Sequence, residues 1–69
     1  MIRLTINGKQ RELEAPMPLL AFLEQHRINP QVIAVEYNGE ILKRERFGDI
    51  TLREGDRVEI VHMVGGGAA

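Results

Sequence analysis

Cysteine is absent from this 69-residue sequence, tryptophan is absent too, and the aromatic residues are limited to one tyrosine and two phenylalanines. The lack of cysteine excludes a disulfide, a thiolate metal site and a cysteine nucleophile. Two histidines alone rarely form a metal site, so we predict no bound metal. Because 43% of the residues are apolar and few of these are aromatic, we expect a small aliphatic core.

An excess of positive charge and a long apolar run are also missing. The formal net charge is -1, whereas a surface that binds nucleic acid is basic. No apolar run approaches the roughly 20 residues that span a bilayer, and the first residues lack the basic-then-apolar pattern of a signal peptide. We therefore expect one small cytoplasmic domain with no nucleic-acid partner and no membrane partner.

The first half of the sequence predicts a hairpin followed by a helix. Polar and apolar residues alternate over residues 1–6, as in a half-buried strand, and Asn7-Gly8 is typical of a type I′ turn. Residues 9–13 then form a polar return strand at the edge of a sheet. After a proline-rich break, apolar residues at helical spacing predict a helix at about 18–26, with Pro18 as its first residue.

The second half of the sequence predicts three further strands joined by turns. The predicted elements are strands at 32–37, 41–42 and 58–64, with turns at Asn38-Gly39 and 53–56. The charged residues 43–46 are predicted to be solvated. Phe47 and Ile50 are predicted to fill the core beneath this charged connection.

This order of elements indicates an α+β protein. Two hairpins flank one helix, which is compatible with a β-grasp fold. In that fold a mixed sheet of four to five strands carries one helix on one face, and the first and last strands lie parallel in the centre. Periodicity alone does not fix this arrangement. We predict a domain over residues 1–64 and a flexible, glycine-rich tail over residues 65–69.

Two of the predicted strands carry apolar residues on the face turned away from the helix. Alternation directs Val61 and Met63 outwards in the last strand, and Val32 and Ala34 outwards in the neighbouring strand. An exposed apolar patch beside a glycine tail is typical of a protein-docking surface, and we add His62 at the same strand end. The alternative is that these are scattered surface aliphatics, which are normal.

No combination of residues indicates catalysis. His62 has no evident carboxylate or nucleophile as a partner in the sequence, and His26 is placed where a histidine stabilises a helix C-terminus. Glu54 and Asp56 belong to a turn, and the chain is too small to form a convincing cleft around paired carboxylates. We predict no catalytic residue and no bound cofactor.

The strongest signal in the sequence is Gly65-Gly66-Gly67. These residues follow a β-branched strand and offer no side chain to continue it. They do not lead from a strand into a helix, so they do not form a nucleotide-binding loop. If the glycines take part in chemistry, they do so as a substrate of another protein.

With these features the whole chain resembles the ThiS family of sulfur carriers, which are ubiquitin-like β-grasp proteins of thiamin biosynthesis. The most specific stretches of the resemblance are residues 55–62 and Val64–Gly67, supported by the helix at 19–23, the hairpin at 37–40 and Phe47. The MoaD family, the small subunits of molybdopterin synthase, has a related pattern. That family is usually longer and ends in two glycines without this lead-in.

The resemblance implies a protein that is a substrate and not an enzyme. In the family, a ThiF-like adenylyltransferase uses ATP to adenylate the terminal glycine. Sulfur derived from a cysteine desulfurase then converts it to a thiocarboxylate, which supplies the thiazole synthase ThiG. The resemblance assigns the acyl position to Gly67, with Gly66 second, and makes Val64 and Gly65 the tail that leads to it.

The sequence departs from the family pattern at its end, because Ala68-Ala69 follow Gly67. Either a processing peptidase removes the alanines, or they were added when the protein was produced. Two alternatives to thiazole formation stay open. One is a sulfur carrier for cysteine, molybdopterin or a secondary metabolite, and the other is a ubiquitin-like modifier or interaction module.

Overall fold

A computed structural model describes residues 1–63 of the chain. This part contains a five-stranded sheet, a two-stranded sheet and one α-helix. The elements are β1 (Ile2–Ile6), β2 (Lys9–Leu13), β3 (Met17–Pro18), α1 (Leu19–Gln25), β4 (Ile33–Tyr37), β5 (Glu40–Leu42), β6 (Thr51–Leu52) and β7 (Arg57–His62). No helix within residues 1–63 has the length and apolar character needed to cross a membrane.

The larger sheet has the strand order β2–β1–β7–β4–β5. Strands β1 and β7 lie side by side at its centre and run parallel, with Thr5 opposite Arg57 and Ile6 opposite Val58. The other neighbouring strands of this sheet are antiparallel. A mixed sheet with its first and last strands parallel in the middle is the β-grasp arrangement, and the predicted fold class is confirmed.

Both predicted hairpin turns have the backbone conformation that the Asn-Gly sequence favours. Asn7 and Gly8 have φ angles of 52° and 79°, and Asn38 and Gly39 have φ angles of 50° and 88°. A type I′ turn requires positive φ at both central residues, and its twist matches that of the strands it joins. The two turns therefore set the registers of the β1–β2 and β4–β5 hairpins.

The hydrophobic core lies between the sheet and α1. Its members come from the inner faces of the central strands, from one face of the helix and from the segment after β5, and all are apolar. They are Ile2, Leu4, Ile6, Leu19, Phe22, Leu23, Ile33, Val35, Phe47, Leu52, Val58 and Ile60. Phe47 is buried as predicted, and Ile50 packs against the cluster from a partly buried position.

The proline-rich segment before the helix differs from the prediction. Pro18 is extended, with φ -60° and ψ 142°, and the first helical residue is Leu19, so the prediction of Pro18 as that residue is wrong by one position. Met17 and Pro18 pair with Leu52 and Thr51 to form the two-stranded sheet. The sequence does not predict this pair because proline lacks an amide to donate, and a proline strand is tolerated only at a sheet edge.

The sequence also does not predict the two 3₁₀ helices, Pro30–Val32 and Arg44–Asp49. Because Val32 ends the first of them, β4 begins one residue later than predicted. The second incorporates most of the predicted charged connection. Strand β7 ends at His62, and both the predicted strand end at Val64 and the predicted tail at 65–69 lie outside the described residues.

Candidate functional site

The apolar residues predicted on the outer face of the sheet lie together in the structure. Ala34 is directly opposite Val61, and the backbone N–H of Met63 donates to the carbonyl of Val32 at 2.8 Å. The exposed fractions are 58% for Val61, 49% for Met63 and 42% for Val32. We call Val32, Ala34, Val61 and Met63 the outer patch, and it lies where β7 leads towards the glycine residues.

His62 borders the outer patch without sharing its face. It lies opposite the buried residue Ile33, so strand alternation places it on the same side of the sheet as α1. His62 is nevertheless exposed, because it is the last residue of β7. The position makes it accessible to a partner that contacts the strand end.

A second row of residues extends the outer face beyond the patch. Glu36 lies directly opposite Glu59 in the β4–β7 register, and Ile41 lies opposite Glu36 in the β4–β5 register. These three residues, with Gly8, Ala34, Val35, Arg57 and Val61, line a groove of about 560 Å³. The face that carries the outer patch is therefore mainly aliphatic, with two carboxylates at its centre.

Strand β7 is paired on both sides near its start and on the β4 side as far as its last residue, His62. It pairs in parallel with β1 and along five residues with β4. In addition, the side-chain oxygen Oδ1 of Asn7 accepts a hydrogen bond from the backbone N–H of Ile60 at 2.7 Å. Asn7 thus serves both the hairpin turn and the last strand.

Arg44 fixes the segment that pairs with the end of β7. Its Nε donates to the carbonyl of Pro30 at 3.3 Å, and its Nη2 donates to the carbonyl of Gln31 at 3.1 Å. These carbonyls immediately precede Val32, whose own carbonyl accepts from Met63. The sequence predicts a solvated arginine here, and nothing local in the sequence indicates contacts 13 or 14 residues away.

Asp56 organises the opposite end of the central strands. Its Oδ2 accepts hydrogen bonds from the Tyr37 hydroxyl at 2.6 Å and the Arg53 backbone N–H at 2.8 Å. Its Oδ1 accepts from the side-chain amide of Asn38 at 3.2 Å. Burial raises the pKa of Tyr37 to about 12, and the hydrogen bond from its hydroxyl to Asp56 and the negative charge of Asp56 add to this effect. Sequence reasoning recognised Asp56 only as a turn residue.

Within residues 1–63, no group of three or more histidine, aspartate and glutamate side chains could hold a metal ion. The His26 ring nitrogen Nδ1 lies 3.0 Å from the carbonyl of Phe22, and the two rings are 4.3 Å apart. The predicted structural role of His26 is confirmed.

The predicted acyl residue Gly67, its alternative Gly66, and the predicted tail residues Gly65 and Val64 lie outside the described part of the chain. The structure describes the chain up to Met63, the residue immediately before this segment. The described part of the candidate site therefore consists of the outer patch and the end of β7.

A mixed β-grasp sheet with one helix and an exposed outer face defines the class of ubiquitin-like proteins. Comparison with known families gives a match to the ThiS family over residues 4–67. The chain is 34% identical over 65 residues to the sulfur carrier protein ThiS of Bacillus subtilis, covering 93% of this chain and 98% of that protein. The chain belongs to the ThiS family.

A solved structure and a longer relative extend this result. The crystal structure of the thiamine biosynthesis protein ThiS from Geobacter metallireducens matches with a TM-score of 0.82 at 33% identity, covering 96% of this chain and 100% of that one. A thiazole synthase of Paramagnetospirillum magneticum is 34% identical over 67 residues. That match covers 97% of this chain and 21% of the thiazole synthase, so the chain spans about a fifth of that relative's length.

Proposed function

We propose that this protein is a sulfur carrier for thiazole formation in thiamin biosynthesis, and that the carboxyl group of Gly67 carries the sulfur. The observation that supports the proposal most strongly is the family match, which extends to Gly67 and therefore includes all three consecutive glycines. The Bacillus subtilis relative is named as a sulfur carrier and has nearly the same length as the matched region. Gly66 is the second candidate for the acyl residue.

The chemistry requires activation, because a free carboxylate is a poor electrophile. A ThiF-like adenylyltransferase joins the Gly67 carboxylate to the α-phosphate of ATP and releases pyrophosphate. The terminal sulfur of a persulfide formed by a cysteine desulfurase then attacks the acyl carbon, the bond to the AMP oxygen breaks, and AMP leaves an acyl disulfide behind. A thiol acts as the reductant: it attacks the sulfur–sulfur bond, forms a disulfide with the former persulfide carrier and releases the thiocarboxylate. The product is a thiocarboxylate on Gly67, which is a nucleophilic sulfur attached to a carrier protein.

This route needs a free carboxyl group on Gly67, whereas Ala68 follows it in the sequence. We propose that hydrolysis of the Gly67–Ala68 peptide bond by a processing peptidase precedes adenylation. Water adds to the carbonyl carbon, the amide bond breaks, and the segment that begins at Ala68 leaves with the new amino group. A protein that already ends at Gly67 needs no such step.

The glycines suit this role because an enzyme can close around a backbone that has no side chains. Ordering each such residue costs about 1–2 kcal/mol of backbone entropy. Contacts between the activating enzyme and the folded body must offset that cost. We propose that the outer patch supplies these contacts, because Val61 and Met63 are exposed and lie next to the segment that enters the enzyme.

Thiazole synthase, ThiG, is the proposed acceptor of the sulfur. The thiazole synthase of Paramagnetospirillum magneticum contains a region similar to 97% of this chain. A carrier and a synthase within one polypeptide would have a high effective concentration for each other. A carrier on a polypeptide of its own would reach the same partner through noncovalent docking.

The proposal is tested with protein that ends at Gly67, incubated with ATP, a ThiF-like enzyme and a sulfur source. We expect the intact mass to increase by the difference between a sulfur atom and an oxygen atom. Protein that retains Ala68-Ala69 is the matched control and should keep its mass. An unchanged mass for the Gly67-terminated protein, or conjugation of that protein to lysine side chains, would contradict the proposal.

A further inference from the structure

Two carboxylates face each other on the outer side of the sheet. Glu36 in β4 and Glu59 in β7 are direct cross-strand partners. Like charges in this position destabilise an antiparallel pair. The ion pairs within residues 1–63 are Arg3–Glu12 and Arg46–Asp49, and neither includes Glu36 or Glu59. The folded domain thus places two like charges opposite each other on its exposed face.

The surroundings of this acidic pair are aliphatic. Ile41, which is 78% exposed, lies opposite Glu36 on the side away from Glu59. The next row of the same sheet face is the Ala34–Val61 pair. Arg57 lines the same groove, but no ion pair forms between it and either carboxylate. The groove therefore combines exposed apolar surface with two negative charges that lack a positive partner in the described chain.

We infer that the Glu36–Glu59 pair receives one basic side chain of the enzyme that adenylates the carrier, and that the apolar groove surrounds this side chain. The inference rests on the proposed function, because it names the chemistry of the activating partner's surface. The occupant is a single arginine or lysine that enters the groove among apolar residues of the partner. Arginine fits best, since its planar guanidinium can donate to two carboxylates at once.

Three physical effects favour this occupant. A cation between the two carboxylates replaces their mutual repulsion by attraction to both. The aliphatic residues Ile41 and Val61 exclude water from the contact and so strengthen it. Complementary charge also accelerates encounter and disfavours partners that carry an acidic residue at this position. The acidic pair thus helps the outer face to discriminate between partners, which its apolar residues alone would do poorly.

The test measures the dissociation constant between the full chain and its ThiF-like enzyme by titration calorimetry, without ATP. We compare the wild-type protein with Glu36→Gln, Glu59→Gln and the double variant. The matched control is Glu24→Gln, because Glu24 is an exposed residue of α1 on the other side of the sheet. We expect the double variant to bind about tenfold more weakly, and the control to bind like the wild type.

Two further readouts separate recognition from folding. The affinity of the wild type should fall more steeply with added salt than the affinity of the double variant. The double variant should unfold at the same temperature as the wild type or at a higher one, because the repulsion has been removed. Unchanged affinity, or a loss of affinity that accompanies a lower unfolding temperature, would overturn the inference.

The calorimetric test also distinguishes this inference from the proposed function. A Gly67-terminated protein that binds the enzyme and is never adenylated would contradict the sulfur-carrier proposal, while the affinities of the glutamine variants would still decide the role of the carboxylates. A Gly67-terminated protein that is adenylated, and that binds no more tightly than its Glu36→Gln/Glu59→Gln variant, would contradict only the role of the acidic pair. A Gly67-terminated protein that does not bind the enzyme would overturn both.

Discussion

Asp56 has the most hydrogen-bonded side chain in the described part of the chain. It is 9% exposed and accepts hydrogen bonds from the side chains of Tyr37 and Asn38 and from the backbone of Arg53. These contacts join the turn before β7 to the end of β4. Asp56 therefore sets how the last strand enters the sheet, although it lies at the opposite end of that strand from the glycines.

We predict that Asp56→Ala lowers the free energy of unfolding by about 2–4 kcal/mol, because removing an acceptor leaves partly buried donors unsatisfied at about 1–3 kcal/mol each. Urea unfolding followed by circular dichroism measures this change. Asp49→Ala is the control, since Asp49 makes only an exposed ion pair with Arg46 and such pairs contribute about 0–1 kcal/mol. Equal losses for the two variants would contradict the assigned role of Asp56.

The Tyr37 hydroxyl predicts a dependence of stability on alkaline pH. Its pKa in the folded protein is raised to about 12 from an ordinary value of 10.0, first by burial and then by Asp56. The unfolded chain therefore loses this proton at lower pH than the folded chain, so stability is complete below pH 10 and declines as the pH rises towards 12. The thermal unfolding midpoint should fall over this range.

Tyr37→Phe isolates this contribution, because lysines also titrate at alkaline pH. The variant should be less stable than the wild type at neutral pH and should lose less stability between pH 10 and 12. The same dependence of stability on pH for both proteins would show that the Tyr37 proton does not contribute to the loss of stability at alkaline pH. Neither this effect nor the role of Asp56 could be predicted from the sequence, because the contact joins residues 19 positions apart.

At the scale of the element, the end of α1 is the least expected feature. The backbone N–H of Ile28 donates to the carbonyl of Leu23 at 2.8 Å, and that of Arg27 donates to Glu24 at 3.0 Å. This pair of bonds is a Schellman motif. The residue with positive φ in such a motif is usually glycine, yet here Arg27 has a φ of 57°.

We predict that Arg27→Gly raises the free energy of unfolding by about 0.5–1 kcal/mol, because a left-handed conformation costs a side-chain-bearing residue about 1–2 kcal/mol and glycine's greater unfolded-state entropy offsets part of the gain. Denaturant unfolding measures the difference. Arg27→Ala removes the same charge but keeps the Cβ, and it should give no such gain. Stabilisation by both variants would assign the effect to the charge instead of the backbone.

Elements that are formed by interactions between residues close in the sequence could be predicted, and elements that depend on distant residues could not. Asn7-Gly8 and Asn38-Gly39 are predictable, since positive φ is a local property of these residues. The helix is predictable from its apolar spacing, although it starts one residue later. The β3–β6 pair is not predictable from the sequence, because each strand has only two residues and so shows no periodic pattern. One of the two strands also contains Pro18, and 32 residues separate them in the chain.

At the scale of the whole molecule, the sheet has one covered face and one open face. Alternation in the sequence is sufficient to place Val61 and Met63 on the open face, as the structure also has them. The opposition of Glu36 and Glu59 depends on the register between β4 and β7, and no sequence pattern fixes that register. The apolar part of the open face could thus be predicted from the sequence, whereas the pair of carboxylates on it could not.

We predict that Val61→Thr weakens binding to the ThiF-like enzyme by about tenfold, because burying an unpartnered hydroxyl costs about 1–3 kcal/mol. Threonine keeps the size and β-branching of valine, so the free energy of unfolding should change by less than about 0.5 kcal/mol at this exposed site. Leu20→Gln is the control, since Leu20 is an exposed apolar residue of α1. Equal binding of the wild type and Val61→Thr would exclude Val61 from the interface.

The central claim is that Gly67 carries the sulfur while the folded body provides recognition. The most direct measurement is the intact mass, with fragmentation of the C-terminus, of the protein isolated from its own cells during thiamin synthesis. The account predicts a chain that ends at Gly67, with a fraction in which sulfur replaces one carboxyl oxygen. A chain that retains Ala68-Ala69 while it supports thiazole formation would contradict it.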